Sequence, residues 1–161
     1  MAASRGRRVG DTRDTEMNGT TAATGDDRAP IGVVVAGHGR IAAEMVDSLR
    51  SVVGKIDAVE GVAFRLSDDP ATIRDRIEET IERVDRGAGV IVLTDMLGDT
   101  ASNVSLEIAR NRSDVEVVAG VNMPMLLKLS TSRRGVSAAQ LAGFIRRYGQ
   151  DHIFWPTGSG S

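Results

Sequence analysis

From Pro30 onward, short apolar runs alternate with longer segments of helical period, the pattern that βαβ units require. A chain written this way winds into a parallel sheet with helices on both faces. The first run, Ile31-Gly32-Val33-Val34-Val35-Ala36, has no polar side chain on either face, which suits a strand covered on two sides. After Gly37-His38-Gly39, the residues Ile41, Met45, Leu49 and Val52 recur at helical spacing and are expected to face the core. A second strand is expected from Val59 to Phe64. Asp69 then caps, and Pro70 opens, a helix with Ile73, Ile77, Ile81 and Val84 on its inner face.

The third run, from Gly89 to Asp95, is apolar until Thr94 and Asp95, so its polar end is expected to point at a site. A helix from Ala101 to Arg110 and a strand from Val115 to Gly120 follow, then the segment Val121-Asn122-Met123-Pro124-Met125-Leu126-Leu127. The final helix starts at Ser137, with Gln140 placed for a capping box and Leu141, Ile145 and Tyr148 facing inward. A short last strand is expected over Asp151-His152-Ile153-Phe154-Trp155. The expected fold is an α/β, open, mostly parallel, doubly wound sheet. Ligands of such sheets bind outside the carboxyl ends of the strands, a rule that groups His38, Asp95 and Asn122.

With aromatics at 3% and 18 glycines, the core must be aliphatic and the turns tight. The absence of cysteine excludes disulfides and thiolate chemistry and suits a reducing compartment. A formal net charge of −2 gives no general attraction to nucleic acid or membrane. No apolar run approaches the roughly 20 residues that span a bilayer, and no secretory signal opens the chain, so a cytoplasmic location is expected. Residues 1–29, polar and with mixed charge, read as a disordered tail. One domain over 30–156 and a flexible end over 157–161 complete the expected organisation. The basic cluster Arg5-Gly6-Arg7-Arg8 reads as part of a solvated tail.

His38 stands between two glycines directly after a buried strand, where small neighbours leave its ring approachable. A neutral imidazole nitrogen is a competent nucleophile toward phosphorus and needs no metal or cofactor. On the tripeptide alone, a structural turn is the better reading. Asp95, ending the neighbouring strand, can hold one ring nitrogen and leave the other to attack. Gly98-Asp99-Thr100-Ala101-Ser102-Asn103 opens a helix whose free N–H groups and hydroxyls suit a phosphate. Gly37, Gly39, Gly98, Asp99 and Thr100 are therefore the candidate phosphate-binding residues. His38 and Asp95 are the candidate catalytic ones, and no metal ligand set is expected.

Three blocks carry a family resemblance: Val33-Val34-Val35-Ala36-Gly37-His38-Gly39, the run from Val92 to Asn103, and Ala119-Gly120-Val121-Asn122-Met123-Pro124-Met125-Leu126. From Ile31 to about Ile153 the chain resembles the mannose-class IIA domains of the bacterial sugar phosphotransferase system. The resemblance implies that His38 accepts a phosphoryl group from the phosphocarrier HPr and passes it to a histidine of a separate IIB protein, while Asp95 holds the ring. It also implies a homodimer with an exchanged C-terminal strand, and contact with a membrane only through a permease complex.

Two departures stand out. The family pattern has paired glycines followed by Ser or Thr and Pro where this chain has Gly98-Asp99-Thr100-Ala101, and often a small hydroxyl residue where it has Ala36. Asp99 either faces the phosphate site and repels it or turns away and caps the helix. Alternative readings are a phosphorylation-state reporter that serves no permease, a phosphoryl-donor subunit for dihydroxyacetone kinase, and, last, a nucleotide-binding module, for which the glycine spacing is wrong.

Overall fold

The computed structural model describes residues 28–158. The expected tail therefore lies almost wholly outside the described residues, as do the last three positions. The elements are β1 (Gly32–His38), α1 (Ile41–Val53), β2 (Val59–Phe64), α2 (Pro70–Val84), β3 (Val90–Thr94), α3 (Thr100–Asn111), β4 (Val115–Ala119), α4 (Met123–Ser132) and α5 (Ala138–Asp151). Among the described residues the strands form one sheet in the order β2-β1-β3-β4, and every pair is parallel. The expected α/β architecture is the observed one.

Alternation along the central strands divides the core into two layers. Val33 and Val35 of β1 with Ile91 and Leu93 of β3 face α1, α4 and α5. Val34 and Ala36 with Val90 and Val92 face α2 and α3. Because both faces are covered, these strands read as unbroken apolar runs.

The helix ends follow their sequence signals. Asp69 accepts the Thr72 N–H at the start of α2, where Pro70 has no N–H that needs an acceptor. Ser137 and Gln140 form the complete capping box of α5. All four expected residues of α2 are buried.

Helix α1 departs from expectation. Its buried residues are Ala42, Val46 and Leu49, while Ile41 and Val52 are 48% and 69% exposed. The buried stripe is thus turned by about one residue from the expected one. Alanine takes the inner face because β2 lies close beneath: a Cβ on Gly61 would stand 2.8 Å from the Ala42 carbonyl oxygen. The segment after β4 contains a full helix, α4, started by the Asn122 side chain accepting the Met125 N–H and by a proline in its first turn.

The expected last strand is not formed within the chain. Helix α5 runs through Asp151, and Ile153, Phe154 and Trp155 follow outside any strand, each about three-quarters exposed. Tyr148 is half-buried rather than turned inward and stacks on His152 at 3.8 Å between ring centroids. His152 closes the helix, its Nδ1 lying 2.8 Å from the Tyr148 carbonyl oxygen.

Candidate functional site

The register pairs Ala36 of β1 with Thr94 of β3, so the residues that follow each strand meet at the carboxyl edge of the sheet. The Asp95 N–H donates to the Ala36 carbonyl at 3.2 Å, continuing the ladder by one step. From there its side chain turns back over Gly37. A Cβ on Gly37 would stand 3.3 Å from Asp95 Oδ2, so glycine leaves the carboxylate room against the backbone.

Asp95 Oδ2 accepts the backbone N–H of His38 at 2.9 Å and lies 3.0 Å from His38 Nδ1. Its Oδ1 accepts the Met96 N–H at 3.0 Å. Burial, the largest single influence on this carboxyl, pushes its pKa up. The His38 backbone and ring hydrogen bonds, the charge of His38 and the Met96 N–H together outweigh burial, so the carboxyl ends below the ordinary aspartate value.

A carboxylate can only accept, so Nδ1 carries the ring proton of the neutral imidazole and Nε2 carries the lone pair. The His38 side chain is 25% exposed. The edge of Phe64, its partner in the β1–β2 register, packs against it with ring centroids 5.5 Å apart. Sequence reasoning passed over Phe64 as a core residue, although its place at the end of β2 put it beside the histidine.

Asp99 takes the capping role, one of the two alternatives raised for it, without turning away from the histidine. Its Oδ1 caps α3 by accepting the Ser102 N–H at 2.6 Å. Its Oδ2 lies 3.5 Å from His38 Nδ1, accepts no hydrogen bond and is buried. The charge therefore stands on the Nδ1 side of the ring.

Of the expected phosphate-binding glycines, Gly39 and Gly98 adopt positive φ values of 56° and 91°, and each would leave an added Cβ in open space. Their N–H groups already have partners: Gly39 donates to the Phe64 carbonyl at 2.8 Å and Gly98 to Ser102 Oγ at 2.8 Å. These glycines shape the rim more than they offer donors. Thr100 is exposed and lines a cleft between α2 and α3 with Pro70, Arg74 and Glu107.

Asn122 serves a different purpose from the one its grouping with His38 suggested. It starts α4 and donates to the Gly149 carbonyl at 3.1 Å, tying α4 to α5. Sequence reasoning also missed an open cleft of about 480 Å³ next to the histidine, lined by Gly39, Arg40, Phe64, Arg65 and Arg76 among others. Leu66, Met96 and Leu97, in the loops after β2 and β3, are exposed.

No helix among the described residues is long and apolar enough to cross a membrane. Comparison with known proteins matches residues 32–145 to the family EIIA-man, described as PTS system fructose IIA component. The PTS system sorbose-specific EIIA component of Lacticaseibacillus casei is 24% identical over 115 residues, covering 71% of this chain and 83% of that protein. The PTS system mannose-specific EIIAB component of Escherichia coli (strain K12) is 26% identical over 103 residues, covering 64% of this chain and 32% of that protein. The mannose/sorbose specific IIA subunit from Enterococcus faecalis has the same fold, with a TM-score of 0.72 at 21% identity, covering 82% of this chain and 98% of that one. The chain belongs to the EIIA-man family and is a IIA component of the mannose, fructose and sorbose class of the phosphotransferase system.

Proposed function

We infer that this IIA component is a cytoplasmic phosphocarrier that receives a phosphoryl group on His38 Nε2 from HPr and passes it to a histidine of a separate IIB protein. The observation that carries the reading is the 3.0 Å approach of Asp95 Oδ2 to Nδ1, which directs the ring proton inward and leaves the Nε2 lone pair for attack. In the transfer, the Nε2 lone pair forms a bond to phosphorus as the P–N bond to the HPr histidine breaks, and that imidazole keeps the bonding pair. The His38 ring gains positive character, which Asp95 and Asp99 stabilise from the Nδ1 side.

The open space beside Gly39 and Gly98 admits the phosphoryl group. The exposed Leu66, Met96 and Leu97 supply an apolar rim for the two partners. Residues 30–156 act as the working unit, and the exposed Ile153, Phe154 and Trp155 exchange between two copies in a homodimer, as the family resemblance implies.

The test is incubation of the chain with phosphoenolpyruvate, enzyme I and HPr, followed by intact mass. A single acid-labile phosphoryl group, absent from His38→Ala and discharged by a IIB protein, is the expected result. A label that survives His38→Ala overturns the assignment.

A further inference from the structure

While His38 is neutral, Asp99 holds one buried oxygen with no donor. Its side chain is only 8% exposed, Oδ1 is used in capping, and the buried Oδ2 has no hydrogen-bond partner. A buried carboxylate oxygen without a donor is costly, so an atom that supplies positive charge in front of it is favoured. Oδ2 is aimed at His38 Nδ1, which also faces Asp95.

We propose that His38 Nδ1, Asp95 and Asp99 form a reversible site for a divalent transition-metal ion of the Zn²⁺ type, and that the bound ion locks the ring in the tautomer that cannot accept a phosphoryl group. One ligand atom from each residue can be chosen so that all three lie within 4.8 Å of one another. Nδ1 stands 3.0 Å from Asp95 Oδ2 and 3.5 Å from Asp99 Oδ2. A tetrahedral ion with bonds of about 2.0–2.2 Å spaces neighbouring ligands by about 3.3–3.6 Å, so small side-chain shifts suffice. One imidazole and two carboxylates suit Zn²⁺. Mg²⁺ prefers an all-oxygen, hydrated octahedron. Two carboxylate charges balance the ion, and a fourth position stays open to water.

The consequence follows from the single proton of a neutral imidazole. Metal bonding uses the Nδ1 lone pair, so the proton formerly on Nδ1 resides on Nε2. An Nε2–H has no lone pair with which to attack phosphorus. Metal binding and phosphoryl acceptance thus demand opposite tautomers, and the ion is a brake on the reaction. This consequence rests on the phosphocarrier reading, whereas the metal site does not.

The experiment titrates ZnCl₂, and MgCl₂ in parallel, into the full chain by calorimetry and follows the ring nitrogens of His38 by ¹⁵N NMR. The expected result is one Zn²⁺ per chain, no comparable Mg²⁺ binding, and transfer of the His38 proton to Nε2. Asp99→Asn, which keeps an oxygen to cap Ser102, weakens Zn²⁺ binding by at least about tenfold, and His152→Ala leaves it unchanged. Failure to bind Zn²⁺, equal affinity in Asp99→Asn, loss in His152→Ala, or an Nδ1–H ring in the presence of Zn²⁺ overturns the proposal. The wild-type NMR signal decides the matter even where Asp99→Asn fails to fold. Phosphorylation by HPr without added Zn²⁺ is measured separately: a chain that is labelled but binds no Zn²⁺ sinks this inference alone. One that binds Zn²⁺ and is never labelled sinks the phosphocarrier reading, and with it the brake, and leaves the metal site standing.

Discussion

Asp95 Oδ2 holds His38 twice, accepting its backbone N–H at 2.9 Å and facing its ring Nδ1 at 3.0 Å. The backbone bond fixes where the carboxylate sits, and the ring contact then fixes which nitrogen carries the proton. An amide can put only one atom in the place of Oδ2: its oxygen there turns the NH₂ against the Met96 N–H, and its NH₂ there gives up the His38 N–H and donates to Nδ1, favouring the wrong tautomer. Asp95→Asn is therefore expected to fold normally and to accept phosphate at least about 100-fold more slowly. Rapid-quench labelling by HPr measures this, and unchanged rates would remove Asp95 from the chemistry.

The same carboxyl links stability to acid. Its folded pKa lies below the ordinary value of about 3.8, so the stability it contributes is fully present above that value. It is lost as pH falls through the lower folded pKa. Replacing Asp95 by Asn should flatten this part of the acid limb and leave the slope above about pH 6 alone. Urea midpoints of the two proteins across this range give the comparison, and parallel curves would show that the carboxyl has no depressed pKa.

Gly37 is the backbone seat of the arrangement. An added Cβ at 3.3 Å from Asp95 Oδ2 forces the carboxylate to move by a few tenths of an ångström. Gly37→Ala should cost less than about 1.5 kcal/mol of stability, because a polar group at the site's rim can shift. Labelling should fall much more than stability. A variant that loses neither would show that the carboxylate position is not critical.

These relationships were legible in the sequence to different depths. His38 and Asp95 could be found because each ends an apolar run, and parallel pairing of those runs brings the ends together. The α2 stripe and the α5 capping box could be found because each residue concerned has one strong local preference. The α1 stripe was misjudged because Ala42 carries little apolar signal and its burial depends on the approach of Gly61 from another element. Helix α4 was hidden by Met123-Pro124, where proline reads as a break but stands in a helix's first turn. The aromatic, β-branched run Ile153-Phe154-Trp155 has strand propensity, yet within the chain it forms no strand. For Asp99, sequence offered a helix cap or a charge facing the phosphate site. The fold uses one oxygen for the cap and sets the other 3.5 Å from His38 Nδ1, an arrangement that depends on how β1 and α3 meet and that no local signal carries.

Away from the site, Arg133 is 5% exposed and joins three backbone carbonyls: Leu129 at 3.2 Å, Ile31 at 2.9 Å and Asp57 at 3.1 Å. Burial pulls its pKa down, and Asp57 opposes that shift. The guanidinium fastens the end of α4 to the start of β1 and to the turn before β2. Arg133→Met keeps the apolar stem but leaves these carbonyls without their donor, at an expected cost of about 2–4 kcal/mol. Chemical denaturation measures it, and a loss below about 0.5 kcal/mol would show that water replaces the side chain.

The last expectation concerns Ile153, Phe154 and Trp155, which are 74%, 74% and 77% exposed in the single chain. Three large apolar side chains in that state contribute little to the folded monomer, so ending the chain at His152 should leave the unfolding of the dilute monomer nearly unchanged. In an exchanged dimer each would become buried, at about 1.5–3 kcal/mol per side chain. Removing them should then abolish association. Before truncation, the melting temperature should rise with protein concentration, because a dimer is stabilised by mass action. After truncation it should not. Sedimentation velocity of both forms at the same concentrations completes the test: a truncated chain that still sediments as a dimer places the contact elsewhere on the molecule, and exchange of the C-terminal segment is refuted.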